Sequence, residues 1–128
     1  KSGRSFAAGR RTGNKNGGEQ MIKIVYYRDY HRVTAEGHAR SAEEGRDLVC
    51  ASVSSLIYTL GINVERLSDN GMVRCEALKT ESGKAEISCT PKHNMRHVVT
   101  LVFDTVCAGL ACLAAQYPQY VSYEIRGA

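Results

Sequence analysis

The sequence predicts an α+β fold, a mostly antiparallel or mixed sheet with two helices packed on it in the order β-β-α-β-β-α-β. Three observations carry this expectation. Short runs rich in β-branched and aromatic residues are punctuated by turn residues. Two longer segments repeat their apolar residues at helical spacing. The chain has 128 residues, enough for one apolar core and too few for two of comfortable size. Runs of strands around two helices are the pattern of an α+β layer.

From Met21, MIKIVYYRD is the first strand and the polar RDYHR its turn. RVTAEGHA follows as a second short strand, in which Gly37 lets the backbone turn or approach another group closely before His38. SAEEGR is a polar connection, and Asp47 stands where a helix N-cap belongs. In DLVCASVSSLIYTLG, the residues Val49, Val53, Leu56, Ile57 and Leu60 form the apolar stripe of a helix lying on a sheet, with Gly61 as its stop. MVRCEALK and KAEISC are two further strands joined by a TESG turn. A second helix begins between Asn94 and Val98 and ends before Pro118, with Val98, Leu101, Val102, Thr105 and Gly109 on one face, and YVSYEI closes the chain as a strand. The apolar tract from Val98 to Ala115 is interrupted by Asp104 and two threonines. It reads as a core helix, because a membrane span wants about 20 predominantly apolar residues.

The net charge of +4 hints at a nucleic-acid ligand until it is apportioned. Residues 1–20 carry five basic groups against Glu19, which accounts for all of it, and residues 21–128 are formally neutral. The folded part is therefore not expected to bind nucleic acid directly, since such binding shows as a basic patch on the domain itself. Residues 1–20, with five glycines and no apolar periodicity, read as a disordered basic lead or a cloning remnant. Residues 21–128 are read as the single domain. Five cysteines is an odd number with no secretory signal before them, so reduced thiols in a cytoplasmic setting are expected.

One histidine and one cysteine stand out. With Asp47 as cap, Cys50 falls in the first helical turn, where backbone N–H groups are unpaired and the dipole is positive. A helix N-terminus or a neighbouring imidazolium lowers a thiol's pKa from about 8.5 and makes a nucleophile. Asp47 and Ser54 lie three residues before and four after Cys50, on the same side of the helix. His38 supplies a base if the second strand ends beside the helix start, and the unpaired amides can then hold an oxyanion. The competing reading is a small core cysteine on an amphipathic helix.

GHA at residues 37–39, GRDLVCASVS from Gly45 to Ser54, the opening MIKIVYYRD and the closing QYPQYVSYEI together resemble the ribosomal-processing cysteine proteases of the Prp family. The likeness spans residues 21–126. It implies a catalytic dyad of His38 and Cys50, with Asp47 and Ser54 at the signature's aspartate and serine. It also implies a cytoplasmic homodimer that removes an N-terminal extension from a bacterial large-subunit ribosomal protein. No cofactor, metal or membrane is implied. Asp47 has two candidate jobs, capping the helix or orienting the imidazole, and Ser54 either lines the pocket or bonds back to its own helix. The loop ARSAEEGR is expected to close on substrate.

Other patterns weigh less. Cys89, His93 and His97 follow at steps of four, but Pro91 and Asn94 argue against one continuous helix and a zinc site. Cys107 and Cys112 are expected in the core, and Cys75 has no evident partner. Tyr117, Tyr120 and Tyr123 read as strand and loop packing more readily than as an RNA-stacking surface. The rival function is a noncatalytic ribosome-associated or RNA-binding module that uses the basic tail.

Overall fold

The computed structural model describes residues 21–37, 46–81 and 83–127. Their elements are β1 (Ile22–Tyr27), β2 (Arg32–Glu36), α1 (Arg46–Asp69), β3 (Val73–Glu81), β4 (Lys84–Pro91), α2 (Arg96–Gln116) and β5 (Val121–Arg126), with one 3-10 turn at Arg28–Tyr30. The sheet runs β3-β4-β2-β1-β5. β1 pairs antiparallel with β2 and parallel with β5, so the sheet is mixed, as the order of elements implies. The basic lead and the loop from His38 to Gly45 lie outside the described residues.

Period-two alternation explains the strands. Ile22, Ile24 and Tyr26 of β1 turn into the core, as do Val33 and Ala35 of β2, while Lys23, Val25 and Tyr27 point the other way. On that outer face the guanidinium groups of Arg32 and Arg126 lie 4.9 and 5.5 Å from the Tyr27 ring centroid. Arg32 also pairs with Glu86 at 3.0 Å. The face is solvated and polar, and the two helices cover the other one.

α1 buries Val49, Val53, Ile57 and Leu60, as its stripe predicts, and adds Val64. It does not stop at Gly61. Gly61 is a mid-helix contact: a Cβ there would stand 3.3 Å from Leu78 Cδ1 and 3.6 Å from Ile87 Cδ1, so its bare backbone lets α1 approach the sheet. The stop is Gly71, at φ +74°, whose N–H donates to the Ser68 carbonyl while Met72 N–H donates to the Leu67 carbonyl. That pair of bonds is a Schellman cap. Helix α1 also starts two residues earlier than expected, which puts Asp47 inside the first turn and not at the cap.

α2 turns inward a face other than the one that Val98, Leu101 and Thr105 share. Val99, Phe103, Val106, Cys107 and Leu110 are buried, whereas Val98 and Leu101 are 41% and 62% exposed. Gly109 does face α1, where a Cβ would come within 3.1 Å of Leu56 Cδ1. Cys107 is in the core, and burial raises its thiol to about 12. Cys112, expected there too, is exposed and accepts from Gln116 Nε2 at 3.2 Å. Five residues along a helix are about 500° of rotation, so the two thiols cannot share a face. Both helices are long and apolar enough to cross a membrane by length and composition alone. Each lays one stripe on the sheet or on its partner helix.

Candidate active site

Strand directions fix which end of the sheet carries the cysteine. β2 runs toward Gly37, whose N–H donates to the Gly83 carbonyl at 3.0 Å. Gly37 has φ +109°, and a Cβ on it would lie 2.3 Å from the Met21 carbonyl oxygen, so only glycine fits. At this same end β1 begins, its Ile22 N–H bonded to the Tyr120 carbonyl just before β5. The C-terminal half of α2 returns to this end, and it packs Gly109 against Leu56, in the N-terminal half of α1. The first turn of α1 therefore stands at the end of the sheet where Gly37 delivers the chain to His38.

Cys50 is half-buried there, its side chain packed at the edge of the core next to the fully buried Val49. It is the fifth residue of α1, and helical side chains lean toward the N-terminus, so its side chain lies over the turn whose Arg46, Asp47 and Leu48 amides have no partner within the helix. Ser54 is half-buried one turn further on, and Asp47 is exposed one turn before. The structure thus places Cys50, Asp47 and Ser54 on one side of one helix. His38 lies outside the described residues.

The protein matches the sequence profile described as cysteine protease Prp over residues 21–122. The chain belongs to the cysteine protease Prp family. The "Ribosomal processing cysteine protease Prp" of Mycoplasma pneumoniae is 30% identical over 104 residues, covering 81% of this chain and 94% of that protein. Its namesake in Mycoplasma genitalium is 30% identical over 105 residues, covering 79% and 92%. Among solved structures, a Streptococcus mutans protein superposes with a TM-score of 0.62 at 27% identity, covering 83% and 94%. The Staphylococcus aureus protease Prp, an essential ribosomal processing protease solved with a substrate peptide, does so with a TM-score of 0.59 at 17% identity, covering 83% and 98%. That last likeness carries the fold alone. As a member of the Prp family, this chain is a cysteine protease.

The opposite end of the sheet holds polar features that the sequence did not disclose. Asp104, inside the apolar α2, accepts from Tyr26 Oη at 2.8 Å and from Arg28 Nε and Nη2 at 3.0 and 2.8 Å. The Arg28 hydrogen bonds hold its carboxyl below the usual range. His31 is 2% exposed with φ 50°, its Nε2 is 2.7 Å from Thr100 Oγ1, and its ring stands edge-on to Phe103 at 5.7 Å. Burial lowers its pKa. A polar cavity of about 500 Å³ nearby is lined by Arg28, Asp29, His93, Asn94, Arg96, His97 and Thr100. Cys89 is instead buried in β4 while His93 sits in the turn before α2, so the three residues spaced by four do not share one helix. Among the described residues no group of three His, Cys, Asp or Glu side chains is arranged to hold a metal. Tyr117, Tyr120 and Tyr123 are half-buried against the core, in keeping with a packing role.

Proposed function

We propose that the protein removes the N-terminal extension of a bacterial large-subunit ribosomal protein, with Cys50 as nucleophile and His38 as its base. The observation that carries this reading is the half-buried Cys50 on the opening turns of α1, at the sheet end to which Gly37 leads the chain. A Prp-family chain needs a thiolate near unpaired amides, and this is where the fold supplies them. The relatives from Mycoplasma are named for ribosomal processing, which supports the choice of substrate.

In this mechanism the Cys50 thiolate attacks the scissile carbonyl, and the amides of the first turn hold the oxyanion. His38 protonates the leaving amine and then takes a proton from the water that releases the acyl group. Asp47, inside the first turn and exposed, orients the His38 imidazole; at that distance from Cys50 its charge would otherwise oppose the thiolate. Ser54 lines the pocket floor. The enzyme works in the cytoplasm as a homodimer, joined along the outer face of α2, where Val98, Leu101, Thr105, Ala108, Cys112 and Ala115 recur at alternating steps of three and four and are all exposed.

Intact mass of the extended ribosomal protein after incubation with the enzyme tests the reading. One N-terminal fragment, released by the unmodified chain and not by Cys50→Ala, is expected. No cleavage, together with a Cys50 no more reactive toward iodoacetamide than Cys107, would overturn it in favour of a binding module.

A further inference from the structure

Cys75 of β3 stands directly opposite Cys89 of β4 in the antiparallel register. Residues so paired project from the same face of a sheet, here the face under the helices, where both side chains pack with the core. The rung is of the closer kind. The Cys89 N–H donates to the His31 carbonyl at 3.2 Å, so its backbone polar groups face β2 and not β3. Three rungs away, Lys92 N–H donates to the Met72 carbonyl at 2.9 Å, and the alternation of an antiparallel ladder again makes Cys75 and Cys89 a non-hydrogen-bonded pair. Such pairs hold their Cα atoms about 4.5 Å apart, within the roughly 4.4–6.8 Å that a disulfide spans.

The register at this rung is fixed from the other side of the sheet. Glu76, the extra residue of a bulge between Cys75 and Ala77, accepts from the Thr90 hydroxyl at 2.6 Å and from Arg74 Nη2 at 2.9 Å. The two sulfurs differ in access. Cys75 is half-buried on the edge strand, while Cys89 is 1% exposed.

We propose that Cys75 and Cys89 form a modification site separate from Cys50: a dithiol that closes reversibly to a cross-strand disulfide by exchange with a small disulfide of the glutathione class. The Cys75 thiolate attacks one sulfur of the small disulfide, forming a mixed disulfide and expelling one small thiolate. The Cys89 thiolate then attacks the Cys75 sulfur, forming the protein disulfide and expelling the second. Two protein thiols are oxidised, one small disulfide is reduced to two thiols, and the protons go to solvent. Burial raises both thiols, Cys89 to about 12, which makes the reaction slow at neutral pH and faster in mild alkali. Once closed, the bond staples the edge strand to its neighbour.

The test uses the full chain, incubated with excess oxidised glutathione at mildly alkaline pH, denatured in the presence of iodoacetamide and digested with trypsin. Cleavage after Arg74, Lys79, Lys84 and Lys92 separates CEALK from AEISCTPK. Most of the protein is expected to yield these two peptides joined, and dithiothreitol should part them. The same oxidant applied to the urea-denatured chain provides the control, since the glutathione adducts formed there prove it active. Recovery of Cys75 and Cys89 as two alkylated thiols from the folded chain while the denatured chain is modified would overturn the proposal. So would a persistent glutathione adduct on Cys75 beside an alkylated Cys89. The readout is on the unmodified sequence, so it does not depend on a variant folding.

Discussion

On the proposed mechanism Cys50 is the nucleophile, and replacing it with serine should lower cleavage of the extended ribosomal protein by about four orders of magnitude or more while leaving the thermal midpoint nearly unchanged. Gly37→Ala should damage both, because the added methyl would meet a backbone oxygen at 2.3 Å and a backbone already at φ +109°. Circular dichroism alongside the cleavage assay separates these two outcomes. His31 makes a pH prediction. Burial lowers its pKa in the fold, so the unfolded chain binds the proton more readily, and the stability this contributes is full above about pH 6.5 and lost as pH falls below it. Urea midpoints should therefore drop from pH 7.5 to about 5.5, and His31→Gln should flatten that drop, at some cost from the lost Thr100 contact. Of these residues, Cys50 and Gly37 were legible because their motif is contiguous in sequence. His31 was not, since nothing local to RDYHR says that α2 will bring Thr100 and Phe103 over it.

Helix α1 is the element whose limits the sequence misstated. A glycine at the end of an apolar stripe reads as a stop, yet Gly61 continues the helix, with its bare backbone set against Leu78 and Ile87. Gly61→Ala is expected to be neutral or to stabilise by up to about 1 kcal/mol, the helix propensity gained against a contact with the movable end of Leu78. Gly61→Leu should cost about 1–3 kcal/mol by pushing α1 off the sheet. Urea unfolding with an unchanged slope would check both. For α2 the sequence defined the helix but did not say which of its apolar faces turns inward. Apolar residues occur on both sides of it, and periodicity alone cannot rank two apolar faces when one awaits a partner. The cross-strand neighbours Cys75 and Cys89 were invisible for a related reason: a bulge at Glu76 and a hairpin register decide the pairing, and neither is written in either strand alone.

At the scale of the whole molecule, the fold class and order of elements were readable because each strand and helix keeps its own period, while the sheet order was not, since it depends on which edges meet. On the proposed dimer, sedimentation should report twice the 14.0 kDa chain mass, and Leu101→Glu, a charge placed on the exposed α2 stripe, should return the mass to that of one chain. The sheet order has a further effect while the chain is being made. β1 is synthesised before the other described strands, but its parallel neighbour β5 follows all of them, with Ile22 waiting for Val121. Until β5 emerges from the ribosome, one side of β1 offers unpaired amides and carbonyls to any extended peptide nearby. Nascent copies growing side by side on one message would meet with these edges open, so strand exchange between neighbouring chains is the misfolding route that this connectivity invites.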